Sequence, residues 1–159
     1  MIRAAVTADI PRLARVHVQS WTETYTGLIP DDVLYNIITL ESRELQWQRT
    51  LASPKIAVFV VEVSEAVVGF CSVTVTGNQA EIYTLYLLKA NQGSGIGKQL
   101  FKAGLEYAKS NGAKSLTLWV LADNPSRKFY EHMGGNLEDE RIEKVGGVNL
   151  LEMMYEFWL

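Results

Sequence analysis

The sequence predicts a single α/β domain, a central mixed and mostly antiparallel β-sheet flanked by helices on both faces. Three observations predict it. Apolar residues follow helical spacing up to Leu51, then give way to β-branched runs between Ile56 and Leu87. Beyond Leu87, helical and strand patterns alternate. The 159 residues contain no repeat, low-complexity tract or linker-like stretch, and one core can accommodate that length.

The elements follow in order. Ile2 to Val6 reads as a short strand. Asp9 then caps a helix with Pro11 in its first turn, where a missing N–H is tolerated. On that helix Ile10, Leu13, Ala14, Val16, His17 and Trp21 share one face. Gly27 and Pro30 break the chain before a short helix from Asp31 or Asp32 to Tyr35, and a third helical piece spans Glu41 to Leu51. Three strands come next: Ile56 to Val63, Val67 to Thr76 and Glu81 to Leu87, with hairpin turns at Ser64-Glu65-Ala66 and Gly77-Asn78. The glycine-rich turn Gly93 to Gly97 opens a helix stopped by Asn111-Gly112. Lys114 to Val120 is a buried strand, Asn124 to Met133 a helix, and Leu137 to Val145 and Val148 to Trp158 the last two strands.

Composition narrows the function. Net charge is −3, so there is no basic footprint for nucleic acid or an anionic membrane surface. No stretch approaches the roughly 20 apolar residues of a membrane span, and the apolar run at Ile2 to Val6 is too short for a signal segment. A soluble, cytoplasmic protein is the expectation. Cys71 is the only cysteine, which excludes an internal disulfide and a thiolate zinc cluster, and no metal site is expected. Cys71 reads as a buried small hydrophobe, and His17 and His132 as structural.

Gln92-Gly93-Ser94-Gly95-Ile96-Gly97-Lys98 joins a strand to a helix. Glycines there let the backbone approach a ligand, and the helix N-terminus beyond them offers unpaired N–H groups and partial positive charge. Gln92, Ser94 and Lys98 add donors. The physical reading is a phosphate cradle; the plainer one is a glycine-rich turn with no ligand. A P-loop is excluded because Gln92 stands where its first glycine would, and Gln99 follows Lys98. Glycines at every second position also have the wrong spacing for a dinucleotide fingerprint.

This turn resembles the acetyl-CoA signature of the GNAT superfamily, Gln/Arg-x-x-Gly-x-Gly/Ala. Two further segments resemble the family: Asn124-Pro125-Ser126-Arg127-Lys128-Phe129-Tyr130 with Gly134 beyond it, and the opening Trp21-x-x-x-Tyr25-x-Gly27-Leu28-Ile29-Pro30. The resemblance implies that Gln92, Gly93, Ser94, Gly95, Ile96, Gly97 and Lys98 hold the pyrophosphate of acetyl-CoA. It also implies that Leu85, Tyr86 and Leu87 pair with the pantetheine arm as an added strand would. Asn124 and Ser126 join the cofactor-binding set on the same ground, although Asn124 lies one residue closer to Tyr130 than the commonest family spacing. Gly135 stands where a Phe is frequent, a change expected to touch packing and not chemistry.

Moving an acetyl group from a thioester to an amine needs a neutral amine, a stabilised oxyanion and a proton for the leaving sulfur. By resemblance, Tyr130 is the acid beside the sulfur; otherwise it is an aromatic packed beside Phe129. Glu81, eleven residues before Gln92, is the candidate base, at the spacing of the catalytic glutamate in histone acetyltransferases of the superfamily. Its alternative is an exposed strand residue in a cross-strand pair. Simple alternation puts Tyr83 and Leu85 on the face of Glu81. Trp21, Tyr25 and Tyr83 are candidate substrate contacts, able to hold a cationic amine by cation–π attraction, or else to close a core. The resemblance also implies that backbone amides near Leu87 polarise the carbonyl.

The resulting expectation is direct transfer from acetyl-CoA to a small-molecule or peptide amine, with a small cationic amine such as a polyamine as the slight preference. A non-catalytic acyl-CoA-binding sensor is the alternative, and O-acetylation or transfer of a longer acyl chain a third. A homodimer through Leu150 to Trp158 is a further expectation.

Overall fold

The computed structural model describes residues 1–159. Seven strands form one sheet in the order β1-β2-β3-β4-β5-β7-β6. They are β1 (Ile2–Ala4), β2 (Ile56–Val63), β3 (Ala66–Thr76), β4 (Gln79–Leu87), β5 (Ser115–Leu121), β6 (Asn136–Val145) and β7 (Val148–Trp158). Every neighbouring pair is antiparallel except β4 and β5. The helices are α1 (Ile10–Tyr25), α2 (Asp31–Ile37), α3 (Leu40–Ala52), α4 (Ile96–Ser110) and α5 (Arg127–His132). No helix is long and apolar enough to cross a membrane.

The strands' alternation divides the core in two. On one face Val58, Val60 and Phe70 pack against Leu13 and Ala14 of α1 and Trp47 of α3. On the other, Cys71, Val73 and Ile82 pack against Leu100, Phe101 and Ala108 of α4, with Tyr130 of α5 in the same cluster. Cys71 is fully buried there, and burial pushes its thiol up to about 12, which leaves it no thiolate character at neutral pH.

Two helix starts differ from the sequence reading. Asp9 does not cap α1 with its side chain. Its carboxylate instead accepts from the Val6 N–H at 2.8 Å and takes both Nη groups of Arg3 at 2.8 Å. The Arg3 bonds hold Asp9 below the usual carboxylate range. The later helix begins at Arg127, not Asn124, because Asn124 Oδ1 accepts from the Ser126 N–H at 2.9 Å and folds Asn124 to Ser126 into a turn. The expected dimer strand, β7, is paired on both edges by β5 and β6. On this side of the sheet the free edge belongs to β6, a charged strand whose residues are nearly all exposed.

Gly135 is set by packing. A Cβ there would lie 2.7 Å from Phe157 Cζ and 2.9 Å from the carbonyl oxygen of Tyr130, the same oxygen that accepts the Gly135 N–H at 2.9 Å. The glycine thus touches the backbone of the candidate acid, closer to the chemistry than the sequence reading put it. Gly135→Ala is expected to lower the unfolding free energy by about 1–3 kcal/mol, the usual range for overpacking. Denaturant unfolding would check this, and an unchanged midpoint would mean that Phe157 yields freely.

Candidate active site

The site begins with a failure of pairing. β4 and β5 pair only from Gln79↔Ser115 to Ile82↔Leu118, although both strands run on. The register between β3 and β4 shifts at the next residue: Ser72 faces Thr84 while Val73 faces Ile82, leaving Tyr83 as the extra residue of a bulge. A bulge bends its strand and increases local twist, which swings the rest of β4 away from β5. It also resets the pleat. Glu81 shares a face with Thr84 and Tyr86, and Leu85 lies on the other with Ile82, contrary to simple alternation.

The gap is lined from both sides of the sheet. A cavity of about 650 Å³ opens on the α4 side and one of about 280 Å³ on the α1 and α3 side. Ile82, Thr84, Tyr86 and Trp119 line both, so the two meet between the splayed strands.

The larger cavity ends at the glycine turn. Gly93 and Gly95 have φ of +85°, and Gly95 is the N-cap of α4. None of the amides from Gly93 to Lys98 donates to a backbone carbonyl. A Cβ at Gly93 or Gly95 would meet nothing within 4 Å, so the turn faces open space. Free amides, a helix N-terminus and room above them fit a pyrophosphate. Two expected donors are otherwise engaged: Gln92 Nε2 donates to the Leu87 carbonyl at 2.9 Å and Ser94 Oγ to the Asn91 carbonyl at 3.3 Å, bracing the turn. Farther along, the Leu88 N–H donates to Val68 at 2.9 Å. Ladder alternation therefore aims the Leu85 and Leu87 amides into the gap, where an extended polar chain or a carbonyl oxygen could accept them.

Tyr130 lines this cavity and is otherwise enclosed, with ring centroids 5.4 Å from Phe129 and 6.1 Å from Phe101. Burial first, then the neighbouring Cys71 and Tyr86, raises its phenol well above the ordinary tyrosine range. The proton therefore stays on its oxygen at physiological pH.

The smaller cavity holds the charges. Glu81 lines it and makes no ion pair; burial raises its carboxyl, opposed by the charge of Arg141. Arg141 lies 4.1 Å over the Trp119 ring, with Nε 2.9 Å from Glu152 and 3.8 Å from Glu143. Trp21 and Tyr25 stack at 4.3 Å along the wall, and Arg43 of α3 sits 4.9 Å over Trp21. The turn between β6 and β7 packs on α2, where a Cβ on Gly146 would lie 2.6 Å from Val33, and Val145 just before it lines the cavity.

His17 lies at the back of this cavity among Trp47, Phe70 and Tyr86, with ring centroids 5.3–5.7 Å away. Burial, then the charge of Arg43, pushes it down to about 3. Between that value and the ordinary 6.5 the unfolded chain binds a proton that the native state refuses, so stability is complete above pH 6.5 and falls as pH drops. At pH 5 the loss from His17 is expected to reach about 2 kcal/mol. Thermal unfolding from pH 7 to 5 would check it, with His17→Phe flattening the slope; an equal slope in the variant would assign the loss elsewhere.

Of the residues singled out from the sequence, Leu85, Tyr86, Leu87, Gln92, Gly93, Gly95, Gly97, Lys98, Asn124, Ser126 and Tyr130 line the larger cavity. Glu81 and Trp21 line the smaller, and Tyr25 and Tyr83, like Tyr86, line both, Tyr83 being largely exposed. Ser94 and Ile96 line neither. Arg43, Trp119, Arg141 and Glu152 went unnoticed. Arg43 had a visible signal, standing four residues before the buried Trp47 on the inward stripe of its helix. The other three come from strands far apart in sequence, and no local pattern marks them.

Residues 17–135 match the model of the acetyltransferase (GNAT) family. A Bacillus subtilis (strain 168) protein, named as the uncharacterized N-acetyltransferase YuaI, is 34% identical across 96% of this chain and 89% of its own. Among solved structures, the PaiA N-acetyltransferase of Thermoplasma acidophilum in complex with coenzyme A superposes with a TM-score of 0.76 at 21% identity, covering 100% of this chain and 98% of that one. The ribosomal-protein-alanine N-acetyltransferase of Brucella melitensis gives 0.78 at 24% identity, covering 100% and 99%. At these identities the two structures speak to the fold alone.

Proposed function

From the premise that this chain belongs to the GNAT family of acetyltransferases, we propose that acetyl-CoA occupies the larger cavity while a primary amine enters from the smaller one. The meeting of two cavities through the gap between β4 and β5 carries this reading. It gives each reactant its own entrance and brings both to one point, as direct transfer without an acyl-enzyme requires. The Thermoplasma relative is a complex with coenzyme A, which supports the same ligand at the cradle here.

When bound, acetyl-CoA supplies a thioester, whose carbon bonds to the amine nitrogen as its bond to sulfur breaks and coenzyme A departs as the thiolate, to be protonated from solvent. The chain's residues do the rest. Amides from Gly93 to Lys98 hold the diphosphate, and the Leu85 and Leu87 amides align the arm and steady negative charge on the carbonyl oxygen. Glu81, unpaired and raised by burial, accepts the amine's proton directly or through water. Tyr130 keeps its own proton and donates a hydrogen bond to the leaving sulfur.

Acetyl-CoA turnover, followed with a thiol reagent against a panel of amines, tests the proposal. Amine-dependent release of coenzyme A is expected. Binding of acetyl-CoA with no transfer to any amine would instead favour a sensor.

A further inference from the structure

The smaller cavity contains a positive charge that nothing in the protein neutralises. Arg43 forms no ion pair, whereas Arg141 in the same cavity is shared between Glu143 and Glu152. One Nη of Arg43 donates to the side-chain oxygen of Gln46, and its Nε is buried without any partner. The Trp21 ring covers one face of the guanidinium. Burial lowers the Arg43 pKa, the direction expected of a cation removed from water with no counter-charge. A guanidinium held this way keeps a planar fork of donors suited to two oxygens of one oxyanion.

Glu81 lines the same cavity and is likewise unpaired. An acceptor carrying only positive charge would satisfy Glu81 and meet repulsion at Arg43. One carrying an amine and a carboxylate would satisfy both.

We propose that Arg43 is a specificity-determining residue that binds the carboxylate of the acceptor, so that the substrate class is amino acids or similar amines bearing an acidic group. This rests on the reading of the smaller cavity as the amine's entrance. It departs from the cationic amine that the acidic balance of the sequence suggests.

Matched acceptors test it with the intact chain: α-, β- and γ-amino acids, each against its own carboxamide. The amide has the same shape and the less basic amine, so a preference for the acid reports recognition of charge. The acids are expected to show KM values lower by roughly 10- to 100-fold, the worth of a charge-assisted hydrogen bond. Arg43→Gln should collapse that ratio, and Arg43→Lys should retain part of it. Calorimetric binding of the preferred acid and its amide, in the presence of coenzyme A, gives a readout independent of turnover and should show the same ranking. Should Arg43→Gln not fold, the wild-type ratio and calorimetry still decide. Transfer to acids and amides alike, or an unchanged ratio in a folded Arg43→Gln, would overturn the inference and leave the acetyltransferase reading standing. If acetyl-CoA binds and no amine is acetylated or bound, that reading falls and this one with it.

Discussion

Tyr130→Phe should lower kcat by roughly 10²–10³-fold, the loss seen when one preorganised donor to developing charge is removed. The figure sits toward the lower end of what a full general acid contributes, and the environment of Tyr130 explains why. Its phenol is held protonated by burial and is therefore a reluctant acid. A hydrogen bond that strengthens as charge grows on sulfur uses such a group better than complete proton transfer does. KM for acetyl-CoA and the unfolding midpoint should stay near the wild-type values, because the ring remains packed against Phe101 and Phe129. Steady-state kinetics with a saturating amine would check this. A kcat within twofold of wild type would remove Tyr130 from the chemistry.

Glu81→Gln is expected to reduce kcat/KM for the amine by roughly 10²-fold, at the low end for loss of a general base. KM for acetyl-CoA should not follow, since Glu81 does not line the larger cavity. The pH profile adds a second signature. The base acts when ionised, and burial raises its pKa, so wild-type activity should fall as pH drops through a value above the ordinary carboxylate range. The variant should lack that limb. Stability should move the other way. A carboxyl whose folded pKa is raised contributes fully below its unfolded pKa and loses that contribution as pH rises through the folded value. At neutral pH the glutamine should therefore be as stable as the glutamate or more so. Retained activity with the acid limb intact would assign proton removal to water or to another group.

The order of elements was legible because each rests on a local cause. β2 and β7 occupy the residues expected: a β-branched run between turns marks β2, and the Gly146-Gly147 turn fixes where β7 begins. The glycine turn was legible for the same reason: positive φ at Gly93 and Gly95 is a demand that the sequence states in its own residues. The start of α5 was misplaced by three residues, because an asparagine that favours helix capping can equally fold the preceding turn.

By itself, the sequence determined the sheet-and-helix order and the place where a phosphate could be held, both properties of neighbouring residues, while the candidate acid and base were implied only by the resemblance of its motifs to a family. The tertiary structure decided how those pieces meet. The bulge at Tyr83 depends on the pairing of β3 with β4, and it turns Glu81 onto the face opposite Leu85 and ends the pairing with β5. The charges of the smaller cavity come from α3, β4, β6 and β7, so Arg43 is left unpaired while Arg141, two residues from Glu143 on its own strand, reaches Glu152 only after the chain has folded. Propensity and spacing act over a few residues, whereas a cavity's balance of charge is a sum over segments that only packing brings together.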